Sequence, residues 1–510
     1  MAPSLNTILP HDIGNRAVPN RWQNVAALAA TAAVLFVVWR LCIVVYRLTF
    51  HPLAKYPGPK LYAATNLVDL HRKYGPIVRV APNHLAVDGS IGWPQIYQHR
   101  PGKAEWGKQP DFFFPGDNKS LIGGDHENHR RLRRQLNHAF STESMYEQEP
   151  IVQQYIELLL TQLSKKAAAG EVFDIVPWFN FMTFDIIGDL TFADTFHNLD
   201  GGEYHPWVLG SFKAVLGAGI NRFTKHYPLL RLAFKSLGSS AENVKTELQN
   251  RELANAKAMA RKAQGESPGG RRDFMTYMLK KTRDGQPGFD DFDIRLNSPT
   301  IITAGSETTA TTLAGFTFHL GLKANRPVYD LLAGEIRAAF QSESQIDIKS
   351  TARLPYLTAT IEETLRMYPP AAQTPPRVSP GAELNGEHIP KGTVTTIFQL
   401  ATYRNPDNFY DPDNMRPERW LPSNHKLYNP VFANDNKASF HPFSFGVRDC
   451  LGKNLAYSEL RVAIARFLFR FDFELAPGEE TWMDRSQVLV IWEKPPLMVK
   501  LTERKLVPVE

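Results

Sequence analysis

The sequence contains very little cysteine. Among its 510 residues there are two cysteines, Cys42 and Cys450. Two cysteines exclude a disulfide-stapled secreted scaffold and a four-cysteine zinc site, and this pair is too widely separated for a zinc finger. The remaining composition, with 43% hydrophobic and 22% charged residues and a net charge of +6, is that of an ordinary globular protein. Each cysteine therefore needs its own explanation.

Motifs of several other enzyme classes are also missing. The chain has no G-x-x-x-x-G-K-[ST] phosphate loop, no H-E-x-x-H zinc motif and no G-x-S-x-G nucleophile motif. Gly217 and Gly219 begin a dinucleotide-binding pattern, but Arg222 stands where its third glycine belongs. His126 and His129 share one face of a predicted helix without an evident third metal ligand. We therefore expect neither these chemistries nor a nucleic-acid partner.

A long apolar segment lies near the N-terminus, at residues 25–46, with Arg40 as its single charge. About 20 apolar residues in a helix cross a bilayer, so the segment predicts a transmembrane anchor that includes Cys42. A cleaved signal peptide is the alternative, and the polar tail at 1–24 argues against it. More positive charge follows the segment than precedes it, which predicts a lumenal tail and a cytosolic body. The proline-rich residues 47–60 predict a stiff hinge.

The rest of the chain, residues 61–510, contains no long linker, no repeat and no second apolar span. At about 150 residues per domain, the length of the whole chain favours about three domains. Its periodicity predicts a mainly α fold with a minor β-sheet. The predicted helices lie at 151–166, 240–263, 300–322, 356–367 and 450–468, and the predicted strands at 77–88, 384–398 and 486–492.

Cys450 precedes an amphipathic helix in the segment H-P-F-S-F-G-V-R-D-C-L-G, residues 441–452. A thiolate at a helix N-terminus is favoured by the helix dipole, and Arg448 adds positive charge nearby. The flanking residues Gly446 and Gly452 would allow a flat ligand to approach closely. A buried structural cysteine is the alternative, because free cysteine is among the most buried residue types.

The spacing within this segment matches a known family. F-S-F-G-V-R-D-C-L-G, residues 443–452, resembles F-x-x-G-x-R-x-C-x-G, the haem-binding loop of the cytochrome P450 monooxygenases. The resemblance implies that Cys450 is the axial ligand of haem iron and that Phe443, Gly446 and Arg448 help to bind haem b. It also implies that residues 61–510 form a single haem domain with the cytochrome P450 fold, a triangular prism of helices around the haem, preceded here by the transmembrane helix.

A second resemblance concerns A-G-S-E-T-T, residues 304–309, in a long predicted helix. The family places here an acid–alcohol pair that delivers protons during oxygen activation, which implies this role for Glu307 and Thr308. General acid–base catalysis of this kind contributes about 10²–10⁴-fold. We expect Gly305 to let a planar cofactor or dioxygen lie against the backbone. Upstream, Ser298 and Pro299 predict a late start of this helix.

A third resemblance joins E-T-L-R, residues 363–366, to R-P-E-R-W, residues 416–420. Taken alone, a glutamate and an arginine three residues apart on a helix would form a weak surface pair. The resemblance instead implies that Glu363, Arg366 and Arg419 form a buried structural network on the proximal side of the haem.

Propionate ligands are implied at several positions. On the predicted helix of residues 126–140, Arg133 lies closest to the apolar face. The resemblance implies that Arg133, Arg377 and Arg448 bind the haem propionates, and that His129, which replaces the tryptophan common in the family, contacts a propionate as well.

The other arginines of this helix are Arg130, Arg131 and Arg134. Two interpretations stay open for them: a solvated face, or a docking surface for an acidic reductase, in agreement with the net charge of +6.

The function implied by the resemblance is insertion of one atom of dioxygen into a hydrophobic small molecule, by hydroxylation or epoxidation. Electrons would come from NADPH through a separate NADPH–cytochrome P450 reductase. A haem-thiolate desaturase, ring-coupling enzyme or isomerase, and a non-catalytic haem sensor, are the alternatives. We expect a monomer anchored in the endoplasmic reticulum membrane.

The chain further resembles fungal secondary-metabolism members, with the trichothecene-hydroxylase-like branch the nearest, which implies a terpenoid or polyketide substrate. Family position implies a substrate pocket with linings from Phe112–Phe114, 205–230, Ala304, Ala371–Thr374 and Val488–Ile491.

Overall fold

A computed structural model of the protein describes residues 21–53, 55, 69–112, 119–210, 252–265, 270–281, 285, 287–488 and 491–505. Contacts within the chain divide it into two units, Met1–Tyr56 and Pro57–Glu510. In the first unit, helix α1 (Arg21–Val45) continues into a π-helical turn at Tyr46–Phe50. Among the described residues, no helix combines the length and the apolar character that a membrane crossing requires.

The second unit is built mainly from α-helices, which confirms the predicted fold class. In chain order they are α2 (Leu70–Tyr74), α3 (Gly89–Gly92), α4 (His126–Leu136), α5 (Thr142–Ala168), α6 (Val176–Phe192), α7 (Asn198–Gly201), α8 (Phe274–Leu279), α9 (Asp291–Gly321), α10 (Arg326–Ala339), α11 (Ile348–Thr351), α12 (Pro355–Met367), α13 (Gln399–Tyr403), α14 (Lys453–Arg470) and α15 (Trp482–Arg485). Residues 206–210 and 252–263 are also helical.

Shorter helical turns connect these elements. A π-helical turn spans Trp93–Tyr97, and 3₁₀ turns span Pro110–Phe112, Asn137–Phe140, Lys323–Asn325, Glu343–Gln345, Pro417–Trp420, Pro430–Phe432, Lys437–Ser439, Gly446–Arg448 and Glu479–Thr481.

The β-structure consists of short strands in small sheets. They are β1 (Ile77–Ala81), β2 (His84–Val87), β3 (Gly107–Lys108), β4 (Val172–Asp174), β5 (Arg377–Val378), β6 (Ala382–Leu384), β7 (Glu387–Ile389), β8 (Val394–Thr396), β9 (Phe471–Leu475), β10 (Gln487–Val488), β11 (Trp492–Glu493) and β12 (Met498–Glu503). One sheet has the order β1-β2-β8-β5-β3, with β2 and β8 parallel, and another has the order β4-β12-β9. The pairs β6–β7 and β10–β11 are antiparallel.

Helix α9 runs through the core and packs closely against α6. A Cβ atom built on Gly305 of α9 would lie 2.7 Å from Cδ1 of Ile187 on α6, closer than real Cβ contacts come. The sequence predicted that this glycine makes room for a cofactor or dioxygen. The structure adds a second reason, because the missing side chain also allows the two helices to approach each other, while Gly305 itself lines a cavity next to α9.

The predicted late start of α9 at Ser298 and Pro299 is wrong. The helix begins at Asp291 and continues through Pro299. A capping box starts it: the Asp293 amide donates to the Asp290 carboxylate at 2.7 Å, and the Asp290 amide donates to the Asp293 carboxylate at 3.4 Å. Because proline removes only one backbone donor, capping and packing on both sides of Pro299 hold the helix together.

The other predicted elements agree with the structure in position but differ in extent. The helix predicted at 151–166 is part of the longer α5, and the helix predicted at 450–468 begins at Lys453. The first part of the helix predicted at 240–263 lies outside the described residues.

Candidate active site

Cys450 lies in a tight loop that leads into α14. The loop is closed by a hydrogen bond of 2.8 Å from the Cys450 amide to the Phe443 carbonyl oxygen. Gly446 has a φ of +78°, and a Cβ atom there would collide with the Tyr97 carbonyl oxygen. Both the backbone conformation and this close approach therefore require glycine. Phe443 packs against Tyr457 of α14, with ring centroids 4.9 Å apart, which holds the loop to the helix.

A cavity of about 340 Å³ separates this loop from α9. The Cys450 side chain is exposed to the cavity, although it lies deep within the protein. Burial raises the pKa of the Cys450 thiol, and a hydrogen bond from the Gly452 amide offsets part of the increase. A metal ion deprotonates such a thiol when it binds. Most of the cavity wall is apolar and includes Leu121, Ile122, Phe140, Ile187, Ile301, Ala304, Leu365, Leu455 and Leu460.

One end of the cavity is lined by cationic side chains. Arg377 of β5, Arg448 of the Cys450 loop, Arg133 of α4 and Lys108 of β3 meet there. Glu105 lies between two of them: Arg448 Nε donates to Glu105 Oε1 at 2.8 Å, and Arg377 Nη1 lies 3.8 Å from the same oxygen. The structure therefore brings together the three arginines that the sequence predicted and adds Lys108.

The carboxylates at this end do not balance the cations. Arg133 donates to the main-chain oxygen and to Oδ1 of Asp449, both at 2.5 Å. Glu105 and Asp449 thus face three guanidinium groups and Lys108. When Lys108 is protonated, the cations exceed the carboxylates by two charges, a surplus that two propionate groups would neutralise.

The pKa values of His129 and Lys108 are lowered by burial and by this concentration of positive charge. Burial, with the charges of Arg448, Lys108 and Arg133, lowers the pKa of His129 to about 3, so its imidazole is neutral at pH 7. Burial, with the charges of Arg377 and Arg448, lowers the pKa of Lys108 well below its usual range. A bound dianion at this end would favour the protonated form of both side chains.

The predicted acid–alcohol pair lies on α9, but its two members face different surroundings. Thr308 lines the cavity, where its Oγ1 donates to the Ala304 carbonyl oxygen at 2.7 Å. Glu307 is buried, with 3% of its side chain exposed, and is not among the residues that line the cavity. The structure therefore places the hydroxyl of the pair at the cavity and its carboxylate behind the cavity wall.

Glu307 forms an ion pair with Lys494, which lies between β11 and β12. Lys494 Nζ donates to Glu307 Oε1 and, at 2.8 Å, to Thr311 Oγ1. Thr311 Oγ1 in turn donates to Glu307 Oε1 at 3.2 Å. Among the described residues, Oε2 of Glu307 has no hydrogen-bond partner.

A second buried carboxyl group, that of Glu459 on α14, does line the cavity. Burial raises the pKa of Glu459 to about 8, and a hydrogen bond with Thr309 offsets only part of the increase. Its Oε2 has no hydrogen-bond partner in the described part of the chain. Burial therefore favours the protonated form of Glu459 near neutral pH.

Glu363, Arg366 and Arg419 come together away from the cavity, and each is fully buried. Arg366 donates to both carboxylate oxygens of Glu363, at 2.8 and 2.9 Å, and Arg419 Nε lies 3.2 Å from Oε2. The Trp420 indole donates to Glu363 Oε2 at 2.8 Å, and the Arg416 amide donates to Oε1 at 2.7 Å. Both oxygens of the Glu363 carboxylate therefore accept hydrogen bonds, which offset the free-energy cost of burying its charge.

The predicted substrate lining is found in part. Ala304, Ala371 and Thr374 line the cavity, whereas the described residues Phe112, Val488 and Ile491 do not. The described residues 205–210, Ala372 and Gln373 do not line it either, and the predicted members at 113–114, 211–230 and 489–490 lie outside the described residues.

The arginines of α4 divide into two groups. Arg131 donates to both carboxylate oxygens of Asp293 at 2.7 Å and so joins α4 to the first turn of α9. Arg130 and Arg134 are exposed. The interpretations of a solvated face and of a docking surface therefore stay open for Arg130 and Arg134, while Arg131 has an internal partner.

The cavity fits haem in three separate respects. It presents the Cys450 thiol on one wall, mainly apolar side chains around it, and a surplus of cations at one end. Arg377 Nε in that cationic end is buried without a hydrogen-bond partner among the described residues. A planar apolar ring with two carboxylates and a central metal would satisfy these features together.

Sequence reasoning missed Glu105, Lys108, Glu459 and Lys494. For Glu459 a signal exists, because it lies nine residues after Cys450 on the same face of α14 as Leu455 and therefore places a carboxyl group among apolar side chains. We find no comparable local signal for the other three, since their roles depend on contacts with distant parts of the chain.

Comparisons with known proteins agree with this geometry. The family model described as Cytochrome P450 matches residues 58–501. A cytochrome P450 monooxygenase, astJ of Aspergillus oryzae, is 38% identical and aligns with 92% of this chain and 96% of its own length. The trichothecene C-4 hydroxylase of Trichoderma arundinaceum is 37% identical over 90% of this chain and 94% of its own. The averantin hydroxylase of Dothistroma septosporum is 36% identical over 92% of this chain and 90% of its own length.

The same architecture is found among solved structures. The crystal structure of the cytochrome P450DA heme domain superposes with a TM-score of 0.72 and covers 88% of this chain and 98% of that domain. At 19% sequence identity, this likeness shows the fold alone.

Proposed function

Because the chain belongs to the cytochrome P450 family, we propose that it is a fungal secondary-metabolism monooxygenase whose substrate is a hydrophobic terpenoid or polyketide. The observation that carries this proposal is the cavity between α9 and the Cys450 loop, whose wall away from the cations is mainly apolar. An apolar wall with few polar groups suits a hydrophobic ligand. The hydroxylases of trichothecenes and averantin among the relatives support the same substrate class.

The reaction is a monooxygenation. One substrate C–H bond, dioxygen, NADPH and a proton give an alcohol, water and NADP⁺, so the two electrons of NADPH reduce the oxygen atom that leaves as water. Haem b, when bound, supplies the iron at which dioxygen is activated, and a thiolate ligand favours cleavage of the O–O bond.

Binding of the cofactor is assigned to residues of the cavity. Cys450 holds the iron as a thiolate, and Arg133, Arg377 and Arg448 bind the propionates, for which the planar guanidinium group is well suited. Phe443 and Gly446 keep the Cys450 loop in shape. His129 lines the same end of the cavity and would donate a hydrogen bond from its imidazole to a propionate, and Lys108, whose protonated form a bound dianion favours, would add a further cation.

The protons consumed in the reaction are assigned to the pair on α9. Thr308 Oγ1 faces the cavity and can hold and pass on a proton there, and Glu307 lies beside it on the helix. Glu363, Arg366 and Arg419 are assigned a structural role, because their donors and acceptors are satisfied among themselves and their neighbours.

Partners and location complete the proposal. Electrons reach the haem from NADPH through a separate NADPH–cytochrome P450 reductase, and the protein acts as a monomer. Residues 25–46 anchor it in the endoplasmic reticulum membrane, with residues 1–24 in the lumen, residues 47–60 as a hinge and the haem domain of residues 61–510 in the cytosol. The apolar run with one charge at Arg40 and the excess of positive charge after it support this topology.

Labelled dioxygen tests the reaction. The full-length protein, a fungal reductase and NADPH are supplied with extracts from a strain that lacks the gene, in which the substrate accumulates. We expect a product that contains one labelled oxygen atom. A product without label, formed with consumption of NADPH, would instead indicate a desaturase or ring-coupling enzyme, and a product formed without NADPH an isomerase.

Cofactor ligation is tested by spectroscopy. The reduced, carbon-monoxide-bound protein should show the red-shifted Soret band of a thiolate-ligated haem, and Cys450→Ser should lose it. Cys42→Ser is the matched control and should keep the band. If Cys450→Ser kept it, the ligand assignment would be wrong.

The topology is tested by glycosylation. Asn118-Lys119-Ser120 is an acceptor sequence for N-linked glycans, which are added in the lumen. The proposed orientation predicts that Asn118 stays unmodified in cells, whereas an acceptor sequence introduced within residues 1–24 becomes modified. Detection of a glycan at Asn118 would show that the true orientation is the opposite of the proposed one.

A further inference from the structure

The ion pair between Glu307 and Lys494 is almost completely shielded from solvent. The side chains are 3% and 4% exposed, respectively. Thr311, one turn after Glu307 on α9, hydrogen-bonds to both. A charge buried at this depth is stable only while its partner is in place, and removing the partner leaves an uncompensated charge. Each member of the pair therefore controls the charge state of the other.

Other polar groups near Glu307 are uncharged. Burial raises the pKa of Tyr204 and of Tyr368, and the negative charge of Glu307 adds to both increases, so the two phenols are neutral. Thr311 has a hydroxyl group. Lys494 is thus the cation that balances Glu307.

The backbone around Lys494 is held firmly in place. Two prolines, Pro495 and Pro496, follow it and restrict its backbone. The Trp482 indole donates to the Pro495 carbonyl oxygen at 2.8 Å, and the Leu497 amide donates to the Asp174 carboxylate at 2.9 Å. When the pair separates, we therefore expect the Glu307 side chain to move and Lys494 to stay.

We propose that Lys494 is a positioning residue that holds Glu307 away from the cavity and releases it by giving it a proton. This inference rests on the proposed role of Glu307 as the acid that supplies Thr308. One proton passes from Lys494 Nζ to Glu307 Oε1, which leaves a neutral amine and a neutral carboxylic acid. The acid is no longer held by charge, so it turns toward Thr308 and delivers the proton. A proton from bulk solvent, carried in by water as hydronium, then restores the ammonium group of Lys494, so the net change is transfer of one solvent proton to Thr308, and no electrons move.

A set of variants separates this role from simple support of the fold. Lys494→Gln removes the charge and the proton, whereas Lys494→Arg keeps the charge on a group that does not give up its proton in proteins. Glu307→Gln and the double variant test whether Lys494 acts through Glu307. Lys500→Gln, an exposed lysine on β12, is the matched control.

The first measurement is the rate of NADPH oxidation by the holoprotein with a fungal reductase, normalised to haem content. It needs no identified substrate, because dioxygen itself accepts the electrons and protons. We expect Lys494→Gln and Lys494→Arg to slow the reaction about tenfold or more, because neither side chain can supply Glu307 with a new proton after each delivery, and general acid catalysis of this kind contributes about 10²–10⁴-fold. Both should also show a larger solvent isotope effect than the wild type and Lys500→Gln.

The second measurement is independent of turnover. An unpaired buried carboxylate takes up a proton, so infrared spectra of Lys494→Gln should contain a carboxylic acid band in addition to that of Glu459, and this additional band should be absent from the wild type and from Lys494→Arg. The additional band should disappear in the Lys494→Gln/Glu307→Gln double variant, which has no unpaired charge and should fold even if Lys494→Gln is unstable.

The outcomes are distinct. A wild-type rate in Lys494→Arg would overturn the proton transfer, since charge alone would then suffice. Slowing by Lys494→Gln to the same extent in the Glu307→Gln background would show that Lys494 does not act through Glu307. A wild-type rate in Glu307→Gln would overturn the proposed role of Glu307 itself, whatever the Lys494 variants do.

Discussion

Arg133 holds Asp449, the residue that precedes Cys450, by both its main-chain oxygen and its carboxylate. The guanidinium group therefore joins α4 to the ligand loop as well as lining the cationic end of the cavity. This double contact means that Arg133 supports the position of the thiol in addition to its proposed contact with a propionate.

Replacement of Arg133 should weaken retention of the cofactor. Arg133→Ala removes two hydrogen bonds to the loop, so we expect the fraction of protein that carries haem to fall several-fold. Arg130→Ala, an exposed arginine on the same helix, is the control and should leave haem content unchanged. The ratio of Soret to protein absorbance after gel filtration measures both. Equal haem content in the two variants would show that the hydrogen bonds from Arg133 to Asp449 are not needed to retain haem.

The buried network around Glu363 should be the most sensitive part of the fold to loss of a charge. Glu363→Gln leaves Arg366 without its carboxylate and Arg419 with that of Asp435 alone, a change that costs about 3–5 kcal/mol in buried ion pairs. Asp330→Asn breaks the exposed pair with Arg326 and should cost below about 1 kcal/mol. Thermal unfolding of the purified holoproteins compares them, and a similar loss in both variants would contradict the network's importance.

The same network predicts sensitivity to acid. Burial alone would raise the pKa of Glu363, but Arg366 and Arg419 lower it to about 2. Because an unfolded glutamate has a pKa of about 4.3, the charged network contributes its full stability above that pH and loses it as the pH falls toward 2. The melting temperature of the wild type should therefore drop across this window, and in Glu363→Gln this component of the drop should be absent.

Because of Glu459, we expect the stability of the folded protein to change with pH in the opposite direction above about pH 4.3. Burial raises its pKa to about 8, so the folded protein binds a proton that an unfolded glutamate loses near pH 4.3. Between these values the free energy of unfolding should fall as the pH rises, by at most about 1.4 kcal/mol per pH unit from this residue. Glu459→Gln should show a flatter profile from pH 5 to 8, whereas Glu474→Gln, an exposed control, should follow the wild type. Parallel profiles for all three would show that Glu459 is not protonated.

Two glycines in helix interiors should respond differently to alanine. At Gly334 of α10 no atom lies within 4 Å of an added Cβ, so Gly334→Ala should raise stability by about 0.5–1 kcal/mol. At Gly305 of α9 the added atom meets Ile187, and overpacking of this kind costs about 1–3 kcal/mol. Combining Gly305→Ala with Ile187→Val should recover part of the loss, which thermal unfolding would reveal. Stabilisation by Gly305→Ala would contradict the packing role.

The ligand loop could be predicted from sequence because its determinants are local. Gly446 is needed by its own backbone conformation, and the amide of Cys450 closes the loop on Phe443 only seven residues earlier. A loop whose conformation depends on nearby residues needs particular residue types at fixed positions along the chain. Such a pattern can be recognised directly in the sequence.

The balance of charges around the cavity could not be predicted in the same way. Lys494 and Glu307 are 187 positions apart, and Glu105 meets Arg448 across 343 positions. No periodicity or motif joins residues at such distances, so their pairing becomes visible only when the chain is folded.

The start of α9 was mispredicted for a related reason. A proline within a helical pattern is a sound local signal for a boundary, and Pro299 carries that signal. The capping box at Asp290 and the bond from Arg131 to Asp293 outweigh it, and the second of these comes from a different helix.

Strand β12 lies between β4 and β9, with Val499 opposite both Phe173 and Leu475. Its partner β4 is made by the ribosome more than three hundred residues earlier. Until β12 emerges, the edge of β4 that β12 covers has no strand to pair with, and closing so long a loop is slow. Completion of this sheet is therefore a late event in folding, and released chains that stop before residue 498 should be cut by protease near residues 172–174 more readily than released chains that include β12.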